Sequence, residues 1–587
     1  MEMKEHMIQH SLKKMLSGQK GEIGIHILTA VLLSWLCCMN LSKLNYIAVL
    51  NDEFGYWGTA VSMAGYDWKD LIAETPYYSY GYSLLLLPII LLLPTPVLWY
   101  KAAILLNVVL LYLSYFICCD IGKRIFGKTD RKLICFVSLV VAIYPGNITY
   151  AQVAWSETLQ YFLIWCVTWL VVRLEERFSY IKIGSSVILL VYLYCVHNRN
   201  IGVIAVWFAA FFLIVIKHKK RVIWAVVPMF GLAAGYFLLK RIKEYEITAL
   251  WNNSASSALN NINLNGSTLL GYFQILTNNL DLYAWSLYGK LFYLLLATGF
   301  TLPVVCILFV KNWWKAKTLG RHFASKFWSI GVLLVMWPLT ALQMIDWPAR
   351  KDIIVYARYI EHVIGPVLFL GIMYTSLYAR KIRKEVLLAA LVFLIGCQAV
   401  YKKIDGAAGF FNSICVPLLG AFYDNTSSLQ EGFMWIIFAM EIMLLGIWWS
   451  SCDKSNKGRW RVVLIFASVF CVEGYKADTF MNNARNTFET NTLPVCEEIL
   501  QYKTQEIYYV KDTAVDSYSV NPKYLQYMIP DRTIHVVENM EGLPEGSFLL
   551  LLNPKSQEMI RFIEGTSGVK KLVGTGSLNL YDTAGSQ

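Results

Sequence analysis

Charge is scarce in this sequence of 587 residues: Asp, Glu, Lys and Arg together make up 16%, against about 25% in a soluble globular domain. Internal repeats and low-complexity tracts are absent. No paired cysteine–histidine spacing of the metal-binding kind occurs among the 13 cysteines, which read as small buried hydrophobes; Cys37, Cys38, Cys118 and Cys119 all lie in apolar runs. The basic N-terminus, with Lys13, Lys14 and Lys20, precedes an apolar stretch that lacks a small-residue cleavage site, so that stretch reads as a retained span rather than a leader. Hydrophobic residues make up 57% and mean hydropathy is +0.47. A single soluble core stops growing near about 250–300 residues. Apolar runs of membrane-spanning length recur from residue 22 to about 474. A cytosolic enzyme, a disordered scaffold and a single-anchor receptor are thereby excluded.

The expected architecture is a polytopic α-helical membrane protein with about thirteen transmembrane helices. They fall near 22–42, 97–119, 133–149, 150–172, 181–196, 201–216, 222–239, 289–310, 327–345, 360–378, 385–400, 432–450 and 460–474. With the N-terminus inside, 29 of the 52 Lys and Arg fall in or beside the cytoplasmic segments and 11 in the outer loops, the bias a bilayer imposes. That also accounts for a net charge of +12 without nucleic acid. The apolar run 82–94, cut by Pro88 and Pro94, is too short to cross and reads as a juxtamembrane or half-inserted helix on the outer face. An odd span count sends residues 475–587 outside. There, strand-like EIYYV, TIHVV, SFLLLLN and KKLVGTG alternate with helical candidates at 493–503, 521–529 and 555–565, which predicts a small extracytoplasmic α/β domain. It has no glycine-rich loop of the phosphate-binding kind.

Candidate chemistry gathers on the outer side. The loop 43–96 carries adjacent acids, Asp52 and Glu53, among Tyr56, Trp57, Trp68 and Tyr80. An acid there can serve as a general base on a hydroxyl, or belong to a plain interfacial loop with an aromatic belt. Glu157, after Trp155, falls about 10 Å below the start of its predicted span. A carboxylate at that depth either faces a polar cavity or is bonded to a neighbouring helix. Arg199 sits beside His197 in a short outer turn, and Arg358, Tyr359, Glu361 and His362 stand at the mouth of a late span behind Arg350 and Lys351. Outer bases run against the positive-inside bias. Either they bind a lipid phosphate, for which the guanidinium fork is shaped, or they pair with an acid such as Glu361. His197 and His362 have no metal-ligand spacing and read as structural.

Together these features resemble the GT-C membrane glycosyltransferases: an acidic pair in the first outer loop, a proline-bounded aromatic segment, an acid early in a later outer-entering helix, and an arginine–tyrosine pair before a late span. The nearest branch is that of the protein O-mannosyltransferases and bacterial aminoarabinose transferases. The resemblance covers about residues 1–475, the expected catalytic membrane domain being 1–474. It implies Asp52 as the base that deprotonates an acceptor, Glu53 in support, and Glu157 in contact with acceptor or metal. Arg358 with Tyr359, and more loosely Arg199 and Lys69, would hold the donor phosphate. Tyr56, Trp57, Tyr80, Trp155, His197 and Glu361 would line the acceptor cavity. The implied reaction moves a sugar from a polyprenyl-phosphate donor to an acceptor glycan, lipid or protein at the outer face of a bacterial plasma membrane, with inversion. The stretch TPYYSYGYS departs from the family, which has a proline pair followed by a basic or aromatic residue. Asp52 and Glu157 can share a divalent cation, but two carboxylates do not by themselves select one.

Three rival readings have weaker support. A transporter or flippase ordinarily carries repeats and broken helices at mid-membrane. A polysaccharide polymerase or ligase places its large loop late in the chain. Thirteen spans are excessive as the anchor of a binding module.

Overall fold

The computed structural model describes residues 19–583 apart from 222, 253–265, 317–319, 344, 346–349, 379–380, 382, 406–412, 421–428, 453–456, 477, 513–520 and 545. Lys13, Lys14 and most of the expected first cytoplasmic segment lie outside the described residues.

Each of the thirteen predicted runs falls on helix, but several are built differently from a straight span. Among the described residues, seven helices are individually long and apolar enough to cross a membrane, and ten are if each of three bent pairs counts as one span. The chain is a multi-pass membrane protein. The run 289–310 is two helices, Leu280–Ala297 and Thr301–Ala316, meeting at 92°. Gly299 and Phe300 stand between them at φ 52° and 60°, a left-handed step that ends the first helix. Tyr180–Val196 has 17 residues, at the short limit for crossing about 30 Å of hydrocarbon. Conversely, Ile223–Leu250 runs 28 residues, well past the predicted end at 239.

Caps set several boundaries. Thr95 accepts from the Leu98 amide with Pro96 at the first position of Pro96–Ile125, a donor-free residue where no partner is needed. Asp130 caps Arg131–Ala142 through the Lys132 amide. The segment 82–94 forms the ten-residue helix Ser83–Leu92 with Pro88 inside it.

Residues 506–582 form a five-stranded sheet of β1 (Glu506–Val510), β2 (Ile534–Val537), β3 (Phe548–Leu552), β4 (Lys570–Gly574) and β5 (Asn579–Asp582), in the order β2-β1-β3-β5-β4. β1 pairs in parallel with β2 and β3, while β5 pairs antiparallel with β3 and β4. The four predicted strands and three predicted helices are present. The short β5 is an addition, wedged between β3 and β4. Period-two alternation splits the sheet's faces. Ile507, Leu549, Leu551 and Leu580 join the core that runs through the membrane part, and Leu550, Leu552 and Tyr581 pack with Ile560 and Ile563 of the helix Gln557–Glu564. The polar stretch before the sheet is also helical, Asp478–Asn491.

The sheet unit is bonded to segment 43–96. Trp68 Nε1 donates to the Pro530 carbonyl at 3.1 Å, and the Tyr527 hydroxyl to that of Pro96 at 3.0 Å. Lys523 Nζ, buried and held down to about 7 by desolvation, donates to Asn51 Oδ1 at 2.9 Å and to the Glu74 carbonyl at 3.2 Å. Tyr56, Trp57 and Trp68 are consequently covered, at 1%, 0% and 1% exposure. The belt expected at an interface is core instead, because the terminal unit packs over it: the Trp57 ring lies 5.5 Å from that of Tyr527.

Candidate functional site

Four charged residues from four distant segments converge at the end of the bundle capped by the sheet unit. Asp52 lies in the first turn of the helix Leu50–Met63, where a loop was expected. Glu157 is the first residue of its helix, Glu157–Glu176. The predicted span 150–172 therefore starts later than expected, because Pro145–Ala151 is a separate short helix bent 54° from Arg131–Ala142. Asn147 braces that bend by donating its side-chain amide to the carbonyls of Val141 and Ala142, at 3.0 and 3.4 Å, and Asn107 braces the break that follows through the carbonyls of Ala151 and Val153, at 3.3 and 2.9 Å. Glu157 is thus at the mouth of the bundle rather than about 10 Å inside it, facing the positive end of its own helix dipole. Arg199 lies in the single turn Asn198–Asn200. Arg358 opens the short helix Arg358–Glu361.

Arg358 joins the two acids. Its Nη1 donates to Asp52 Oδ2 at 2.7 Å and its Nε to Glu157 Oε1, also at 2.7 Å. Its guanidinium lies 3.7 Å over the Trp155 ring. Arg199 Nη2 donates to the same Glu157 Oε1 at 3.3 Å, and its guanidinium stacks 4.3 Å from the Tyr359 ring. Two cations and two anions balance to zero in a dry setting, the arrangement that makes buried charge tolerable. Two features leave this cluster open for chemistry. The Asp52 side chain is 24% exposed while the Arg358, Arg199 and Glu157 side chains are at most 4%. And Arg199 Nε, Arg199 Nη1 and Glu157 Oε2 are buried with no hydrogen-bond partner among the described residues, a costly state for charged groups. A divalent cation shared by Asp52 and Glu157 fits poorly here, because the Arg358 guanidinium bonds to both carboxylates and supplies the positive charge.

Glu53, adjacent in sequence, is used differently. It is fully buried and accepts four hydrogen bonds: from the amides of Ala48 at 2.5 Å, Val49 at 2.6 Å and Ala154 at 2.7 Å, and from the Tyr100 hydroxyl at 2.6 Å. Burial pushes its carboxyl up to about 7, against the pull of those four donors. It pins the start of the Asp52 helix to the strand of chain that leads into Glu157.

Of the remaining predicted residues, Tyr359 and Trp155 are in the cluster as the rings under the two guanidinium groups. Tyr56 borders it, its hydroxyl 2.8 Å from Ser156 Oγ. His197 is buried against it and held neutral, its imidazole well below the usual range through burial and the charges of Arg199 and Arg358. His362 Nε2 is bonded to Asn200 Oδ1 at 2.9 Å. Four lie elsewhere. Lys69 is exposed on the helix Lys69–Ala73, which packs at the terminal sheet. Trp57 is core. Tyr80 lines a small pocket with Tyr77, Cys195 and Lys243. Glu361 accepts instead from the Tyr293 hydroxyl. Arg350 is engaged by Asp352 through both Nε and Nη2.

Sequence reasoning missed Tyr78, whose hydroxyl donates to Asp52 Oδ1; it stands in the TPYYSYGYS stretch that departs from the family pattern. It also missed Glu246, which accepts from Tyr77 at 2.9 Å and Thr59 at 3.2 Å. The only signal for Glu246 was an acid just beyond an apolar run.

No family model and no curated protein matches the chain. Solved structures do. The crystal structure of ArnT from Cupriavidus metallidurans bound to undecaprenyl phosphate is similar with a TM-score of 0.55 at 14% identity, over 97% of this chain and 100% of that one. The apo structure of the same protein gives 0.52 at 14% identity, over 97% and 99%. The chain therefore has the fold of ArnT along nearly its whole length, and the GT-C resemblance holds at the level of the fold.

Proposed function

We propose that this chain, built on the GT-C fold, is a membrane glycosyltransferase that moves a sugar from a polyprenyl-phosphate donor to an acceptor hydroxyl. In this reading all thirteen helical runs belong to a membrane domain of residues 1–474 and the N-terminus is cytoplasmic. The cluster and the domain 475–587 then face the outside of a bacterial plasma membrane. The observation that carries the proposal is the convergence of Asp52, Glu157, Arg199 and Arg358 at one mouth of the bundle, with N–H donors to spare. The ligand in the ArnT structure, undecaprenyl phosphate, is the lipid carrier that a polyprenyl-phosphate sugar leaves behind when its sugar is transferred.

The geometry suggests a division of labour. Asp52 is the accessible acid, so it takes the proton as the acceptor hydroxyl attacks the anomeric carbon. Tyr78 and Arg358 hold its two oxygens and so orient the carboxylate. The unpartnered Nε and Nη1 of Arg199, with Arg358 behind them, stabilise the charge that develops on the leaving phosphate, the kind of electrostatic effect that dominates such reactions. Glu157 fixes both guanidinium groups. Attack from the side opposite the phosphate inverts the anomeric centre. A lipid donor needs no nucleotide cradle, in keeping with the lack of a glycine-rich loop.

The test is sugar release from a set of radiolabelled polyprenyl-phosphate sugars by membranes carrying wild type or Asp52→Asn, which keeps size and removes the base. One donor consumed by wild type, with the variant slower by about 10²–10⁴-fold at equal folded protein, is expected. Equal rates would remove Asp52 from the reaction. No consumption of any donor, with acceptor-rich membranes supplied, would remove the transferase reading.

A further inference from the structure

We propose that His26, Cys119 and Cys135 form a Zn²⁺ site at the end of the bundle opposite the acid–arginine cluster. The three residues come from three helices, Gln19–Cys38, Pro96–Ile125 and Arg131–Ala142, and no spacing in the sequence joins them. Their ligand atoms nevertheless all lie within 4.8 Å of one another. The location follows from Arg124 and Glu176. They pair at 2.9 Å, and Glu176 closes the helix that Glu157 opens.

The donor set suits this ion. Thiolate and imidazole are the ligands Zn²⁺ selects, at about 2.3 Å for sulfur and about 2.0–2.1 Å for nitrogen. Three such ligands around one ion stand closer together than the 4.8 Å limit, so small side-chain movements suffice. Cys119 is 3% exposed and Cys135 is 0%, and a buried site must be close to neutral. Two thiolates and one neutral imidazole meet that condition with a divalent cation and miss it with a monovalent one. Binding releases the two thiol protons to solvent, so no other reactant is required.

The surroundings are also those of a ligated histidine. His26 Nδ1 and the Tyr115 hydroxyl are 2.7 Å apart. With Nδ1–H as the donor, Nε2 keeps its lone pair for the metal, and the hydroxyl orients the ring as an outer partner should. One turn beyond the ligands, Glu22 and Lys123 pair at 2.9 Å. They are four residues from His26 and Cys119 and so share their helix faces. With three protein ligands the tetrahedron keeps its fourth position for water or another small ligand, and the ion would clip the first helix to the hairpin of Pro96–Ile125 and Arg131–Ala142.

The experiment uses the full chain in detergent micelles, stripped with a chelator and titrated with Co²⁺ as a spectroscopic stand-in and then with Zn²⁺. Wild type is expected to take up one ion per chain, with sulfur-to-cobalt charge-transfer and tetrahedral ligand-field bands. Cys119→Ser and Cys135→Ser should each lose one ion per chain, and Tyr115→Phe should bind about 10–100-fold more weakly. Cys166→Ser, on the helix Glu157–Glu176, should match wild type. Because the serine substitutions also put hydroxyls into a packed core, X-ray absorption of Zn²⁺-loaded wild type gives an independent reading: two sulfur neighbours and at least one nitrogen are expected. A wild type that takes up no stoichiometric Co²⁺, a Cys135→Ser variant that keeps the thiolate bands, or a zinc shell without sulfur would each overturn the site. None of these outcomes bears on the transferase reading.

Discussion

Asp52 and Glu53 are neighbours in the chain with the same functional group, yet they belong to different parts of the molecule. One helical residue turns the side chain by about 100°, which is enough to send Asp52 to the mouth of the bundle and Glu53 into its wall. Glu53 ends in a knot of four donors, three of them main-chain amides. Asp52 ends in a cluster of side chains, part exposed, beside charged groups with unused hydrogen-bonding capacity. A knot that satisfies every lone pair holds a structure together. On the proposed function, the spare capacity of the cluster is where the donor phosphate binds. The two regions should therefore fail in different ways when they are cut.

The sharpest cut is Arg358→Lys. Lysine keeps the charge but cannot span Asp52 and Glu157 as the planar fork does. Losing one preorganised donor in such a site costs about 10²–10³-fold in turnover, so sugar transfer should fall by that factor while the melting temperature stays near wild type. A variant that melts early and turns over normally would make the cluster a structural knot like the other. Glu53→Ala should behave in the opposite way. It strands three amides and the Tyr100 hydroxyl in a dry setting at about 1–3 kcal/mol each. A loss of about 5 kcal/mol is expected, read as a lowered melting temperature, with activity tracking the fraction that remains folded.

Asp52, Glu157, Arg199 and Arg358 were legible in the sequence for an energetic reason. Ionisable residues at the ends of apolar runs are expensive, and arginines on the side that bases avoid need a partner. Their pairing was not legible, since Arg358 meets Glu157 across 201 positions and Asp52 across 306. Trp57, Tyr80, Glu361 and Lys69 join the expected site through the family resemblance, but the turn of a helix or the cover of the sheet unit decides where each side chain goes. Glu157 sits higher than an unbroken span would put it because the chain breaks twice ahead of it. One break is the bend before Pro145–Ala151, which the Pro145–Gly146 pair signals. The other is at residues 152–156, where Asn107, from another helix, braces the chain and the sequence gives little sign. The strands β1 to β4 were legible from β-branched and aromatic runs bounded by turn residues. β5 was not, because NLYD is short and its place between β3 and β4 is a matter of pairing.

A titration sharpens the same contrast at a smaller scale. In the folded chain Glu53 keeps its proton to about pH 7, whereas an unfolded glutamate releases it near about 4.3. Between those values the native state binds more protons than the unfolded one, so stability falls as pH rises through that window and is level above it. The effect is bounded at about 4 kcal/mol. Melting temperature should decline from pH 5 to pH 7.5, and Glu53→Gln, which cannot titrate, should flatten that decline. A slope that survives the substitution would assign it to another group.

Tyr78→Phe is the smallest and most selective cut. The ring packs against Tyr56 with centroids 5.2 Å apart, and Phe preserves that contact. Only the hydroxyl that donates to Asp52 Oδ1 is removed, and a hydrogen bond to a charged group is worth about 1.5–3 kcal/mol. Arg358 still holds the other oxygen, so the carboxylate loses orientation rather than its place. Turnover should fall by about tenfold, the low end of that range. The KM for the donor should hardly change, because Tyr78 faces the base and not the arginines assigned to the phosphate. The split matters more than the size. A fall in kcat alone makes Tyr78 a positioning residue for Asp52 and puts the acceptor on that side of the cluster. A rise in donor KM with kcat intact would put the donor there instead and exchange the two sides of the proposed site.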